Sequence, residues 1–178
     1  DPDPAGPCNG LFGSKVFAFT DDLDIVNRLH HQLSDAEGWR PDGVNRRPTG
    51  SLARLRASGT ENRDRDDAGQ LWELAQLLGT VNSPARIGLT TSQASGVDDR
   101  ADIVVATASL EVGFDDPDVG AVIQHKAPRD AAQFLQRKGR AGRDPTMRPW
   151  TVVVLSDYGR DRLAFQGYEA LASPVVRP

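Results

Sequence analysis

The sequence has little cysteine or histidine and no long apolar segment. Cys8 is the only cysteine, so the chain cannot form an intrachain disulfide bond and a cysteine-rich metal site is excluded. His30 and His31 are adjacent and His125 is remote, which is not the ligand spacing of a zinc site, so we expect no metal centre. Apolar runs fall short of the roughly 18 residues that a membrane-spanning helix needs, and no signal peptide is recognisable. We therefore expect a cytoplasmic protein.

Two signatures of a complete nucleotide-hydrolysis site are also missing. The chain contains no G-x-x-x-x-G-K-[ST] loop, whose backbone N–H groups cradle phosphates. No Asp-Glu pair follows an apolar strand, where it would hold Mg²⁺ and position water. This chain by itself is therefore not expected to hydrolyse ATP.

Charge is mixed overall but concentrated locally. The 178 residues include 21 Lys+Arg and 25 Asp+Glu, for a net charge of −4, and this length fits one domain with a proper core. A net negative charge argues against a nucleic-acid binder that relies on net charge, but local distribution matters more. Residues 129–148 contain six basic and two acidic side chains, which predicts a cationic surface on an acidic domain.

Strands and helices alternate through most of the chain, which predicts an α/β fold with a doubly wound, mainly parallel sheet. The runs I-V-V-A and V-V-V-L are continuously apolar, as expected for strands that are covered on both faces. An aspartate, Asp21 or Asp22, is expected to cap the helix after the first strand, and Asp130 with Gln133 forms a candidate capping box. The predicted strands are Lys15–Phe19, Arg86–Leu89, Asp102–Ala106, Ala121–His125 and Thr151–Leu155, and further helices are predicted at Ser109–Val112, Asp130–Lys138 and Gly159–Leu171.

Two segments stand apart from this pattern. Residues 1–14 are rich in Pro and Gly and are predicted to be a linker. Residues 38–67 contain seven arginines, five acids and four glycines, which favours a mobile surface insertion in a single domain that spans residues 15–178. A solvated loop is favoured over the alternative, an additional nucleic-acid contact through Arg40, Arg46, Arg47, Arg54 and Arg56.

The run Gln136–Arg143, Q-R-K-G-R-A-G-R, is the most informative segment of the chain. Arg137, Arg140 and Arg143 recur at three-residue spacing beside small residues. A guanidinium contacts phosphate oxygens through two parallel hydrogen bonds and keeps its charge at physiological pH. The run therefore indicates a phosphate-binding site, and a solvated helix end with Gly142 as a C-cap is the alternative.

Two further segments support the first interpretation. Asp102–Asp115 reads D-I-V-V-A-T-A-S-L-E-V-G-F-D, and Lys15–Leu29 reads K-V-F-A-F-T-D-D-L-D-I-V-N-R-L. In this order, the three segments resemble motifs IV, V and VI of the C-terminal RecA-like (helicase C) domain of superfamily 2 DEAD/DEAH-type helicases. The resemblance covers roughly residues 15–38 and 85–171. Gln136 stands where DEAD-box proteins usually have histidine, and in this respect the run is closer to the Lhr and YprA branch.

The resemblance implies the second motor lobe of an ATP-dependent helicase or translocase, with a three-layer RecA-like fold. Arg140 and Arg143 would be catalytic, reaching the γ-phosphate of ATP held by an N-terminal lobe that also holds Mg²⁺. The implied cofactor-binding residues are Gly113, Asp115, Gln136 and Arg137, with Asp115 towards the ribose and the last two organising the site.

Hydroxyl groups after the strands are predicted to hold a nucleic-acid backbone without reading bases. The predicted contacts are Thr20, Thr90, Thr91, Ser92, Thr107 and Arg129. Expected partners are single-stranded or partly duplex nucleic acid, with DNA favoured over RNA, and the N-terminal lobe. The alternative function is a non-catalytic nucleic-acid-binding or scaffold domain, although such a domain has no physical need for both arginines and Asp115.

Overall fold

The computed structural model describes residues 10–38, 84–91, 98–107 and 116–169. The predicted insertion, apart from Gly38, and the predicted helix at 109–112 lie outside these ranges. The chain divides into two compact units, one formed by residues 1–28 with 88–178 and the other by residues 29–87.

Five strands and three helices lie within the described ranges. They are β1 (Lys15–Phe19), α1 (Leu23–Glu37), β2 (Ile87–Thr90), β3 (Ile103–Ala106), β4 (Val119–His125), α2 (Ala131–Lys138), β5 (Trp150–Val154) and α3 (Gly159–Gln166). Each predicted strand is present, with ends that differ by at most two residues. Helix α3 ends at Gln166, where Gly167 donates its N–H to the carbonyl of Leu163. Tyr168 and Glu169 are helical again, and the last two residues of the predicted helix lie outside the described ranges.

The strands form one sheet in the order β2-β3-β1-β4-β5. Strand β1 is central and pairs in parallel with β3 and β4, and β4 pairs in parallel with β5. The parallel sheet with helices between its strands is the predicted three-layer α/β class. We call the edge where the strands begin the amino edge and the edge where they end the carboxyl edge.

The core lies on the central strands. Phe17 and Phe19 of β1, Val104 of β3, and Val119 and Val122 of β4 are at most 1% exposed and belong to one hydrophobic cluster. Burying one such side chain contributes about 1.5–3 kcal/mol, so each of these residues stabilises the sheet.

Strand β5 differs from its prediction. Its run V-V-V-L favoured burial on both faces, yet Val152 is 43% and Val154 is 46% exposed. The prediction was wrong because β5 is the last strand of the sheet, and an edge strand can leave one face uncovered.

Helix caps agree in part with the sequence. Asp22 Oδ1 accepts the N–H of Asp24 at 2.8 Å, so Asp22 is the cap of α1 and Asp21 is not needed there. Asp130 Oδ1 accepts the N–H of Gln133 at 2.7 Å. The capping box is only half formed, because the buried Oε1 of Gln133 has no hydrogen-bond partner in the described part of the chain. No helix within the described ranges is long and apolar enough to cross a membrane.

Candidate functional site

The arginine-rich run ends at the amino edge of the sheet. Helix α2 follows β4 and runs back towards the start of the strands, where the N–H of Gly142 donates to the carbonyl of Val119 at 3.0 Å. Gly142 has φ +73°, and a Cβ there would lie 2.9 Å from Cβ of Pro149. Only glycine fits this turn without strain. The turn leaves Arg140 half-buried and Arg143 exposed, so both guanidinium groups start from a fixed backbone.

The segment next to Asp115 also reaches this edge. Asp115 and Gly113 themselves lie outside the described residues, but Asp116 follows directly. Its Oδ2 accepts a hydrogen bond from Nζ of Lys15, the first residue of β1, at 2.7 Å. This hydrogen bond, ahead of the cost of burial, raises the pKa of Lys15 above its ordinary value. The residue after the predicted ribose contact is therefore at the amino edge.

The predicted nucleic-acid contacts lie at the opposite, carboxyl edge. Thr20 follows β1, Thr90 ends β2, Thr107 follows β3 and Arg129 lies in the loop after β4. Thr20, Thr90 and Thr91 are buried, Thr107 is half-buried and Arg129 is exposed. Ser92 lies outside the described residues.

Among the described candidates, Arg140 and Arg143 thus lie at the amino edge and the nucleic-acid candidates lie at the carboxyl edge of the same sheet. Helix α2 has eight residues and is therefore about 12 Å long at 1.5 Å per residue. It connects the loop that holds Arg129 to the turn that holds Arg140 and Arg143. Within the described residues, Arg140 and Arg143 do not share a pocket with the nucleic-acid candidates, but a single helix joins the two edges.

Arg137 is in the middle of this helix and is completely buried. Its Nη1 donates to Oδ1 of Asp21 at 2.5 Å and to Oε1 of Gln124 at 2.7 Å. Its guanidinium lies 5.5 Å from the ring centroid of Phe19, a cation–π distance. Arg137 therefore ties α2 to the ends of β1 and β4, while the neighbouring Gln136 is exposed.

Asp21 is a central residue of the carboxyl edge that sequence reasoning assigned to capping. Besides Arg137, its Oδ2 lies 3.9 Å from Nε of Arg129 and 4.0 Å from Nη2 of Arg160. The backbone carbonyl of Asp21 also accepts a hydrogen bond from Arg129 at 3.3 Å. The available signal was an acid two residues after a predicted strand, next to a second acid that was sufficient for the cap.

Asp161 is a second acid that sequence reasoning missed. It is 6% exposed and accepts hydrogen bonds from the N–H of Ala127 and from both N–H and Oγ–H of Ser156. Burial alone would raise the pKa of its carboxyl, but these hydrogen bonds and the charge of Lys126, 3.5 Å away, lower it well below the ordinary value. Asp161 is therefore ionised at neutral pH and joins the loop after β4 to the loop after β5.

A cavity of about 400 Å³ opens between the carboxyl ends of β1, β4 and β5. Cationic side chains from the loop after β4 and from the start of α3 line it. The carboxylates of Asp21, Asp22 and Asp161 line it as well. His125 also lines it, and burial, followed by the charge of Lys126, lowers its pKa, so the imidazole is neutral at pH 7. The cavity therefore has a polar lining whose charges come from lysine, arginine and aspartate.

Comparison with known proteins agrees with the motifs. Residues 73–145 match the family described as the helicase conserved C-terminal domain. The Lhr helicase/probable uracil glycosylase of Mycolicibacterium smegmatis is 38% identical over 118 residues, which are 66% of this chain and 7% of that protein. The putative ATP-dependent DNA helicase Q1 of Caenorhabditis briggsae is 45% identical over 42 residues, which are 24% of this chain and 7% of that protein.

A solved structure of Mycobacterium smegmatis helicase Lhr bound to ssDNA and AMP-PNP aligns with a TM-score of 0.42 and 24% identity. The alignment covers 79% of this chain and 15% of that one. The chain thus spans a small part of the proteins that it matches.

The chain contains a helicase C-terminal domain, of the superfamily 2 type that its three motifs indicate. Over 118 residues it is similar to an Lhr helicase, in agreement with the branch that Gln136 favours.

Proposed function

We propose that this chain is the second motor lobe of an ATP-dependent nucleic-acid helicase or translocase. ATP would bind in a cleft between this lobe and an N-terminal RecA-like lobe, which would supply the P-loop and hold Mg²⁺. Arg140 and Arg143 would contact the γ-phosphate, and Gly113 and Asp115 would contact the rest of the nucleotide. When bound, ATP supplies the phosphoryl group whose developing charge the two arginines stabilise.

The geometry of the turn after α2 carries this proposal. Arg143 is exposed and follows Gly142, whose backbone is held on the first residue of β4. A guanidinium on a rigid backbone loses less conformational freedom when it closes on a phosphate, and preorganised charge of this kind is the largest catalytic contribution available to such a site. The turn therefore fits an arginine finger better than a solvated helix end.

The proposed nucleic-acid track lies on the other edge of the sheet and includes Thr107 and Arg129. A single strand is the favoured ligand, because hydroxyl and guanidinium groups hold a phosphate backbone regardless of sequence. We favour DNA over RNA because both curated relatives named above are helicases and one is named a DNA helicase. Closing and reopening of the cleft would then move the two lobes along the strand.

The connection between the two edges gives the proposal a mechanism. Arg137 fixes α2 against Asp21 and Gln124, so the turn with Arg143 and the loop with Arg129 belong to one rigid element. Movement of the arginines on the γ-phosphate would therefore be transmitted to the carboxyl edge. We place Gln136 and Arg137 in the cofactor set as organising residues, with Arg137 acting through α2.

The test is ATP turnover by the full-length protein, with and without single-stranded DNA, in the wild type and in Arg143→Ala. We expect strand-stimulated turnover in the wild type and a loss of at least about a hundredfold in kcat for the variant, since arginine fingers contribute about 10³–10⁵. Arg148→Ala is the matched control, because this nearby exposed arginine donates its backbone N–H to the carbonyl of Leu11, and the substitution leaves that hydrogen bond in place. Equal rates for Arg143→Ala and the wild type, or no turnover in the wild type, would favour a non-catalytic binding scaffold.

A further inference from the structure

We propose that the cavity between the carboxyl ends of β1, β4 and β5 binds a phosphate and an adjacent base of a single nucleic-acid strand. We call it the β4–β5 groove and define it by Lys126, Arg129, Tyr158 and Arg160, which all line it. None of the three helicase-like motifs contains these residues. The inference rests on the proposed function, because it extends the nucleic-acid track across the sheet from Thr107.

The groove is rich in charged side chains, and its exposed arginines are only partly neutralised. Three cations and three carboxylates, Asp21, Asp22 and Asp161, line it, and the buried Arg137 beneath it adds a fourth cation. Asp21 is closest to the buried Arg137 at 2.5 Å, and the two exposed arginines are only at 3.9 and 4.0 Å from it. Arg129 and Arg160 are therefore weakly neutralised and can attract a phosphate.

The two arginines are also oriented in advance. Arg160 Nη2 donates to the carbonyl of Ala127 at 2.7 Å, and Arg129 Nη2 donates to the carbonyl of Asp21 at 3.3 Å. A guanidinium carries five N–H donors, so each keeps further donors for a ligand. Their side chains are 58% and 65% exposed. This arrangement suits an oxygen-rich anion between them.

The backbone beneath the groove is strained in a way that favours a functional lysine. Lys126 has φ +73° and is the only non-glycine residue with positive φ in the described ranges. Its N–H donates to the carbonyl of Val154, and its own carbonyl accepts from Nε2 of Gln124. Glycine would adopt this conformation at lower cost, and such strain concentrates at binding sites. The lysine side chain is 42% exposed and adds a third cation to the groove.

Tyr158 provides an aromatic surface beside these charges. It precedes α3, makes no side-chain cap hydrogen bond and is 81% exposed. Every base can stack on an aromatic ring, and an aromatic ring beside a cationic track is the usual combination in single-strand binding. The groove therefore matches a backbone phosphate with its neighbouring base better than a free anion.

The test is the affinity of the full-length protein for a fluorescein-labelled oligothymidylate, measured by fluorescence anisotropy over a series of salt concentrations. For Arg160→Gln we expect Kd to rise about tenfold and the slope of log K against log salt to fall by about 0.7, the share of one phosphate contact on a single strand. For Tyr158→Ala we expect a rise of about tenfold in Kd with an unchanged slope, because stacking releases no counterions. The exposed Tyr158 lets this second variant be tested without disturbing the fold.

Arg162→Gln is the control, since this exposed arginine of α3 does not line the groove, and its Kd and slope should equal those of the wild type. Wild-type Kd and slope in both groove variants would overturn the proposal. An unchanged slope in Arg160→Gln would overturn the phosphate contact. Suppose that the groove variants bind like the wild type, while strand-stimulated ATP turnover is present in the wild type and lost in Arg143→Ala. In that case the groove proposal fails and the proposed function stands. If the wild type neither binds the strand nor hydrolyses ATP, both proposals fail.

Discussion

The buried ion pair between Asp21 and Arg137 should contribute strongly to stability. Arg137 is 0% exposed and Asp21 12% exposed in their side chains, and the charged atoms are 2.5 Å apart. Removing one member of a buried pair costs about 3–5 kcal/mol, because the remaining charge stays desolvated. For Asp21→Asn we expect the free energy of unfolding to fall by about 3 kcal/mol, since the fully buried guanidinium cannot recover its hydration.

Removing the other member of the pair, Arg137, should lower the free energy of unfolding by less. In Arg137→Met, Asp21 still has Arg129 at 3.9 Å and Arg160 at 4.0 Å and is partly open to water. We expect a loss of about 2 kcal/mol, below the usual range for a broken buried pair. Gln124 loses a donor in this variant, which keeps the loss well above zero.

The two substitutions should not be additive. A double-mutant cycle by urea unfolding, followed by far-ultraviolet circular dichroism, should give a coupling energy of about 2 kcal/mol. The control cycle is Asp24→Asn with Arg28→Met, a pair at 2.7 Å whose side chains are 66% and 72% exposed, for which we expect at most about 0.5 kcal/mol. A coupling energy below about 0.5 kcal/mol for Asp21 and Arg137 would refute the reasoning, because it would mean that burial does not strengthen this pair.

Three further outcomes are expected from chemical denaturation of single variants. Asp161→Asn should lower the free energy of unfolding by about 2 kcal/mol at pH 7, since its amide would place a donor against backbone N–H groups. In the folded wild type the pKa of this carboxyl lies below its ordinary 3.8, so its contribution to stability is complete above about pH 5 and is lost as the pH falls. If the difference in free energy of unfolding between the wild type and Asp161→Asn does not narrow below about pH 4, this reasoning is contradicted. Gly142→Ala should cost about 2 kcal/mol or more, because φ is +73° and Pro149 blocks the new methyl group. Gly159→Ala, at φ +54° in open space, should cost about 1 kcal/mol. Equal losses in the two variants would show that the contact with Pro149 is relieved. Asp130→Ala should cost about 1 kcal/mol through loss of the cap of α2, and Asp130→Asn, which can still accept the same hydrogen bond, should lose much less.

Local sequence signals predicted the elements well. The continuous apolar runs marked β1 and β3, and Asp130 marked the start of α2 through a hydrogen bond that spans three residues. Such signals succeed because caps and apolar patterns act between residues close in sequence. The same signals were insufficient for β5, whose apolar run does not reveal that it is the last strand of the sheet.

The candidate site was predictable by residue type but not by arrangement. The motifs identified Arg140, Arg143 and Thr107 as candidates. They do not reveal that the two arginines lie at the amino edge of the sheet and Thr107 at the carboxyl edge. That separation follows from the direction of α2 relative to the strands. The roles of these residues remain predictions, and the turnover and binding measurements above address them.

By itself, the sequence determined the α/β class, the strands, the cap of α2 and the presence of a helicase C-terminal domain. These properties depend on patterns within short segments and on motifs in a fixed order. Only the tertiary structure decided that Arg137 is buried against Asp21, a residue 116 positions away, and that Asp161 joins two loops beside the β4–β5 groove. The physical reason is that these contacts depend on the order of the strands, which places the ends of β1, β4 and β5 side by side although they are far apart along the chain.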